Sequence, residues 1–508
     1  MHNFTYIAWT KFVLVSTILL FLIACDTSDN QTTESPTNVI LLMGDDHGWE
    51  ETGYNGHQYL QTPVLDEMAA EGLRLGRFYS ASPVCSPTRG SVMTGRHPNR
   101  YGTFTPNWSI RPEEITVAQL MKQSGYYSGH FGKWHLGPVK SGSPTSPGAM
   151  GFDTWLSHDN FFEMNPVLSR NGAEPVQIEG ESSDILIEET IAFIEKAGQQ
   201  NKPFFAVVWF GSPHEPYVGL EKDIALYDQL PDSLGEQTVR LTSVETGKAA
   251  DMVRYDVLQE RYAEITAMDR AIGKLRTYLK GKGKRQNTLL WYCGDNGTPT
   301  SGLFDTPLRG HKGMTYEGGV RVPGLIEWPS AISKGRSSPV HAVTSDILPT
   351  LAALTQQPLP ERPIDGLNLL PLIEGEMNKR PEPIYFWDFE TSHIADTDTL
   401  PYIEPELQQG TTPLVKMMNG KYTRSFRNFH HPTITEEDYL GERAILDNTY
   451  KLVISGQSEE SKELFNIQDD PEENNNIISQ NPETADRLET QLRDWQTSVL
   501  KSLTGADY

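Results

Sequence analysis

Asn38-Val39-Ile40-Leu41-Leu42-Met43-Gly44-Asp45-Asp46-His47-Gly48 is a continuous apolar run that stops abruptly at two carboxylates. A run without polar alternation marks a strand buried on both faces, as in a parallel sheet covered by helices on each side. The chain repeats this design three times. Residues 126–131 lead into Gly132-Lys133-Trp134-His135, residues 203–210 into Gly211-Ser212-Pro213-His214-Glu215-Pro216, and residues 288–293 into Gly294-Asp295-Asn296-Gly297. Between the last two, Tyr262, Ile265, Met268, Ile272, Leu275 and Leu279 recur at spacings of three and four, one face of an amphipathic helix. Open α/β sheets bind ligands beyond the carboxyl ends of their strands, so the four polar clusters are expected to converge on one site.

The predicted fold is therefore α/β, a large, mixed, mostly parallel sheet with helices on both faces, over residues 38–380. Beyond the Pro-rich segment 358–363 the pattern changes. Ile384-Tyr385-Phe386-Trp387, Ala444-Ile445-Leu446 and residues 450–454 read as short strands, and Leu488, Leu492, Trp495 and Val499 as a last amphipathic helix. They predict a smaller C-terminal α+β domain over 381–508, an antiparallel sheet with that helix packed on one face. Segments 141–148 and 469–476 read as loops.

At 508 residues, with 37% hydrophobic content and 10 Trp, the chain has ample material for a large core. Lys11 precedes a largely apolar run of 13 residues, Phe12 to Ala24, too short to span a bilayer comfortably and suited to a signal peptide. Leu22-Ile23-Ala24-Cys25 looks like a bacterial lipobox. Residues 1–24 are then a cleaved leader, Cys25 a lipidated N-terminus and 25–37 a polar tether. The expected location is the periplasm or outer-membrane surface of a bacterium, with the membrane touched through the lipid alone. A formal net charge of −24 excludes nucleic acid and anionic membranes as non-specific partners. It would also repel a polyanionic substrate at long range, so any anion must be bound by a locally basic site.

Asp45, Asp46, Asp295 and Asn296 offer only oxygen donors, a set that selects Ca²⁺ or Mg²⁺ over zinc. Several carboxylates at flexible strand ends place Ca²⁺ ahead of Mg²⁺. Arg89, Lys133 and Lys312 each adjoin a glycine, and His135 and His214 sit in strand-end loops. Lys312 lies in a stretch (309–323) whose glycines allow close backbone approach. One of only three cysteines opens Cys85-Ser86-Pro87-Thr88-Arg89-Gly90, beside an expected helix start where backbone N–H groups and the dipole favour an anion.

The order of these motifs, Gly-Asp-Asp, Cys-Ser-Pro-Thr-Arg-Gly, Gly-Lys-Trp-His-Leu-Gly, Ser-Pro-His-Glu-Pro, Gly-Asp-Asn-Gly and Lys-Gly-Met-Thr-Tyr-Glu-Gly-Gly-Val-Arg, resembles that of the type I sulfatases. These have an alkaline-phosphatase-like sheet, and the likeness spans roughly residues 38–350. It implies that Cys85 is oxidised to formylglycine by a sulfatase-maturating enzyme, and that Asp45, Asp46, modified Cys85, Asp295 and Asn296 hold the metal. It further implies that the hydrated aldehyde attacks sulfur, that His214 and Lys312 serve the leaving alcohol, that His135 takes a proton, and that Arg89 and Lys133 balance charge. Ser157, in Ser157-His158-Asp159, resembles a substrate-side residue, and Lys133, His214 and Lys312 are expected to share in substrate binding. The implied reaction is sulfate-ester hydrolysis on sulfated polysaccharide or oligosaccharide, for example algal ulvan or carrageenan. Two alternatives stand beside it. One is a phosphodiesterase or phosphonate hydrolase of the same superfamily. The other is an inactive, lipid-anchored glycan-binding protein with Cys85 unmodified and open to a disulfide with Cys293. The stretch Arg424, Arg427, His430 and His431 is a candidate to reach over the site from the C-terminal domain and hold a second sulfate or a uronate carboxylate.

Overall fold

The computed structural model describes Met1 and residues 36–508 apart from 243–247, 300–305, 395–399, 415–421 and 457–459. The expected leader, Cys25 and nearly all of the tether lie outside the described residues. The four apolar runs are strands of one ten-stranded sheet. They are β1 (Asn38–Gly44), β2 (Tyr127–Lys133), β4 (Phe204–Trp209) and β5 (Thr288–Gly294), joined by β3 (Thr154–His158) and β6 (Gly324–Glu327). The central order is β6-β5-β1-β4-β2-β3, with β6 alone of these antiparallel to its neighbour. Gly44 pairs with Gly294, and Trp209 with both Met43 and Gly132, so the carboxyl ends of four strands finish level.

Alternation along each strand explains why the runs lack polar residues. Val39, Leu41 and Met43, with Phe205, Val207, Trp209, Leu289, Trp291 and Cys293, face one core. That core includes Val92 and Met93 of helix α1 (Cys85–Thr94). Ile40, Leu42, Ala206, Val208, Leu290 and Tyr292 face the other, packed by Leu186, Ile187 and Phe193 of α2 (Ser182–Gln199) and Met268, Ile272, Leu275 and Leu279 of α3 (Arg254–Gly281). Each such side chain contributes about 1.5–3 kcal/mol on burial, so both faces must be apolar for the strand to stay in the sheet.

The C-terminal part forms an antiparallel sheet of β7 (Ile384–Trp387), β10 (Arg443–Leu446), β11 (Tyr450–Ser455) and β12 (Ser461–Asn466). A small ribbon, β8 (Gln409–Pro413) with β9 (Thr423–Ser425), accompanies it. Helix α4 (Pro482–Lys501) lays Leu488, Leu492, Trp495 and Val499 on one face, against Trp387, Ile445, Leu452 and Leu464. The opposite face, with Phe386, Ala444, Val453 and Phe465, packs on Tyr79, Tyr316, Val320 and Val343 of the larger part. Residues 36–508 thus form one compact unit, with Arg380 at the expected boundary paired to buried Asp346 at 2.7 Å.

Candidate active site

The level strand ends bring the polar clusters together. β1 delivers Asp45 and Asp46, and β5 delivers Asp295 and Asn296, all buried. The Asp46 backbone N–H donates to Asp295 Oδ1 at 2.9 Å, and Asn296 Nδ2 donates to Asp46 Oδ1 at 2.8 Å. Lys133, the last residue of β2, puts Nζ 2.5 Å from Asp45 Oδ2. Lys312 Nζ lies 2.6 and 2.8 Å from the two oxygens of Asp46. Asp46 (φ 59°) and His135 (φ 57°) occupy the left-handed region, uncommon for residues other than glycine. Such conformations gather where the surroundings hold a side chain for a task.

Cys85 is the first residue of α1, with its thiol buried. Arg89 follows four residues later, hence on the same helical face. Its guanidinium donates to Asp295 Oδ2 at 2.6 Å and to the Lys133 carbonyl at 3.2 Å, and lies 5.1 Å from the Trp209 ring. The Lys312 loop is seated on the Asp295-Asn296 loop by backbone contact: Gly297 N–H donates to Gly319 O, and Lys312 N–H to Thr298 O. A Cβ on Gly297 would come within 1.8 Å of Gly318 O, and one on Gly319 within 1.9 Å of Met314 O. The glycines do permit close approach, but of one chain segment to another.

Burial dominates the electrostatics. It pushes the Asp45 carboxyl up to about 7 against the pull of Lys133. At Asp46 the burial effect is outweighed by Lys312 and Lys133, and the carboxyl is held low. Burial also raises the Cys85 thiol, outweighing Lys133 and Lys312, so an unmodified Cys85 is a poor thiolate here. Burial, then the charges of Lys133, Arg424 and Arg89, hold the His135 imidazole well below its usual range, and neither of its ring nitrogens has a hydrogen-bond partner. His135 is a neutral base aimed into the site. His214 is different. Its Nδ1 lies 2.5 Å from the Glu215 carbonyl, which can only accept, so Nδ1 carries a proton. Nε2 faces Asp46 Oδ2 at 3.6 Å. Phe161 stacks face to face on the His214 ring, centroids 4.6 Å apart at 7°.

Two expectations are corrected. Ser157 does not reach the cluster. It pairs in register with Gly132, whereas His158 pairs with Lys133, and alternation turns Ser157 to the face away from Lys133. There its hydroxyl lies 2.7 Å from His130 Nδ1, fully buried. The disulfide alternative also fails: Cys85 and Cys293 are both free, because Cys293 faces the core beside Trp291. The sequence reading missed Arg261 of α3. Its guanidinium binds both Glu51 carboxylate oxygens at 2.6 Å, the Asp46 carbonyl at 2.7 Å and the Pro213 carbonyl at 2.5 Å. It fixes two of the four strand-end loops from below.

The donor set fits a hard cation. One ligand atom each from Asp45, Asp46, Cys85 and His214 all lie within 4.8 Å of one another. Asp45 Oδ1 and Asn296 Oδ1 are buried acceptors with no hydrogen-bond partner, as a cation's ligands would be. Asp45, Asp46 and Asp295 against Arg89, Lys133 and Lys312 leave the cluster near neutral. A divalent cation would make it net positive, which resolves how so acidic a protein takes an anion.

A family model described as "Sulfatase" matches residues 37–357. The chain is 31% identical over 407 residues to N-acetylgalactosamine-6-sulfatase of Homo sapiens, covering 71% of this chain and 70% of that protein. It is 30% identical over 366 residues to the ulvan-active sulfatase of Formosa agariphila, covering 70% and 68%. In fold it resembles the crystal structure of Ps i-CgsB in complex with k-i-k-neocarrahexaose, with a TM-score of 0.71 at 24% identity over 91% of this chain and 93% of that one. On this match and on the motifs gathered at its strand ends, the chain belongs to the sulfatase family and is a sulfuric ester hydrolase.

Proposed function

We propose that the protein releases sulfate from sulfated polysaccharide fragments, with Cys85 converted to formylglycine by a maturating enzyme and Ca²⁺ held by Asp45, Asp46, Asn296 and Asp295. The observation that carries the reading is the 4.8 Å group of Asp45, Asp46, Cys85 and His214, overlooked by a buried, unpartnered His135. The polysaccharide class is supported by the ulvan-active relative and by the carrageenan-type oligosaccharide bound to the structural neighbour. Export and lipid anchoring at Cys25 rest on the leader and lipobox of the sequence.

The bound cation would polarise a sulfate oxygen and lower the pKa of a hydroxyl on hydrated formylglycine. The chain's own groups supply the rest. Lys133 and Lys312 offer ammonium groups to the sulfate oxygens, and Arg89 holds Asp295 and the end of β2 in place. As a hydroxyl of residue 85 bonds to sulfur and the bond from sulfur to the sugar oxygen breaks, His214, with Nδ1–H fixed on the Glu215 carbonyl, gives its Nε2 proton to that departing oxygen, which leaves as the sugar hydroxyl. His135, neutral, takes a proton from the second hydroxyl of residue 85, whose oxygen re-forms the aldehyde C=O as the C–O bond to sulfate breaks and sulfate leaves.

Natively matured protein incubated with ulvan, carrageenan and animal glycosaminoglycan oligosaccharides should release inorganic sulfate, read by ion chromatography, from at least one of them. Exhaustive chelation should cut that rate at least about 100-fold, with Ca²⁺ restoring it. Hydrolysis of phosphate esters in preference to every sulfated glycan would overturn the proposal.

A further inference from the structure

The four basic residues of the stretch 424–431 have different fates. The Arg427 guanidinium lies over the Trp108 ring at 4.5 Å, His430 packs on Tyr402 at 3.8 Å, and His431 is buried edge-on to Phe104. These three are packing groups. Arg424 is the one of the four whose charge is felt at the catalytic cluster. Its charge acts on His135 and is felt at Cys85, while Lys133 and Lys312 are the cations that act most strongly on Cys85. Phe426, just past the end of β9 and two residues from Arg424, meets His135 edge-on with ring centroids 6.4 Å apart.

The position of Arg424 is built. Asp159, whose carbonyl accepts the His135 N–H, grips β8 with its carboxylate through Thr411 N–H at 2.7 Å, Thr412 N–H at 2.8 Å and the Thr412 hydroxyl at 2.7 Å. β9 pairs with β8, and a Cβ on Gly410 would come within 2.5 Å of Asp159 Oδ2 and 2.8 Å of the Arg424 carbonyl. On the other side Arg427 N–H donates to Asn107 O, and Ser109 N–H to Arg427 O. The strand bearing Arg424 is thus held through β8 by the same Asp159 that binds the His135 backbone, and on its other side through Arg427. The guanidinium itself has little to satisfy it. It donates to Asn107 Oδ1, its Nε is buried without a partner, and the Asp159 carboxylate, already engaged by β8, acts on it through its charge without forming an ion pair among the described residues. Burial holds its pKa below the usual arginine range. A half-buried, undercompensated guanidinium is costly unless an anion completes it.

We propose that Arg424 is a specificity-determining residue that binds a second oxyanion of the substrate, a carboxylate or a further sulfate on the sugars carrying the scissile ester. The proposal rests on the glycan sulfatase reading above, and it deepens that reading from a sulfate ester to a polyanionic one. The fork of N–H donors suits either group, a carboxylate in bidentate fashion.

The test uses matched oligosaccharide pairs that share one sulfate ester. One pair differs in a uronate carboxylate against its reduced alcohol, the other in a second sulfate against a free hydroxyl. The ratio of kcat/KM for the doubly anionic member over its partner should fall roughly 10- to 100-fold in Arg424→Gln in one pair, the scale of a lost hydrogen-bonded charge contact, with Arg424→Lys intermediate. The pair that responds identifies carboxylate or sulfate. The same pairs are titrated calorimetrically into Cys85→Ala protein with and without Arg424→Gln, where binding is read without turnover. Loss of preference in binding with no sulfate released by any matured protein would leave Arg424 in place and remove the catalytic reading. An unchanged ratio in both pairs, or no binding of any pair member, would overturn the role of Arg424.

Discussion

Cys85→Ala protein, expressed alongside the maturating machinery, is expected to lose sulfate-ester turnover by on the order of 10⁴- to 10⁶-fold, the range seen when a covalent nucleophile is removed. Ligand affinity should persist, because Lys133, Lys312, Arg89 and both histidines remain placed by strands and loops that do not depend on the thiol. Stability should change by no more than about 1 kcal/mol, since only one buried sulfur is deleted. The buried thiol, held protonated, is not itself a competent nucleophile, so the unmodified wild-type chain produced without maturation should be as inactive as the alanine variant. Comparable turnover in wild-type and Cys85→Ala protein would place the nucleophile elsewhere.

The second large effect is expected at Arg261, a residue that touches no substrate. Arg261→Met keeps an unbranched apolar stem and deletes the guanidinium, leaving Glu51 buried without its partner. Breaking a buried pair from one side costs about 3–5 kcal/mol, which a urea midpoint reads directly. Arg261→Met combined with Glu51→Gln should recover much of that stability, because the orphaned charge is gone. It should not recover kcat, because the Asp46 and Pro213 carbonyls still lack their common donor and the loops carrying Asp46 and His214 lose their shared tether. Recovery of both together would make Arg261 a stability residue only.

The strands were legible because each is covered on both faces, which demands an unbroken apolar run, and the cluster was legible because each run ends in the residue that does the work. Asp45, Asp46, Asp295, Asn296, Lys133, His135 and His214 follow from that single rule. The residues that escaped act across the sequence. Arg261 sits four residues before Ile265 and seven before Met268, on the apolar stripe of α3. A charge on that stripe was the available signal, since a buried arginine requires buried partners. Phe161 and Asp159 gave no such signal, because their roles depend on His214 and on Thr411-Thr412, which neighbour them only in the folded chain. Ser157 was misplaced for the reason that period-two alternation predicts once the register of β3 is known. Arg424 was readable as a basic residue in a basic stretch, but what singles it out from Arg427 is its lack of compensation.

The central claim is that residue 85 works as an aldehyde, not as a thiol. Proteolytic digestion of protein isolated from its native host, followed by mass spectrometry of the peptide spanning residue 85, tests it most directly. The account predicts a peptide lighter by the exchange of CH₂SH for CHO, trapped by a carbonyl-reactive hydrazide and blind to thiol alkylation. A peptide carrying the full cysteine mass and alkylating fully, from protein that nonetheless releases sulfate, would contradict it.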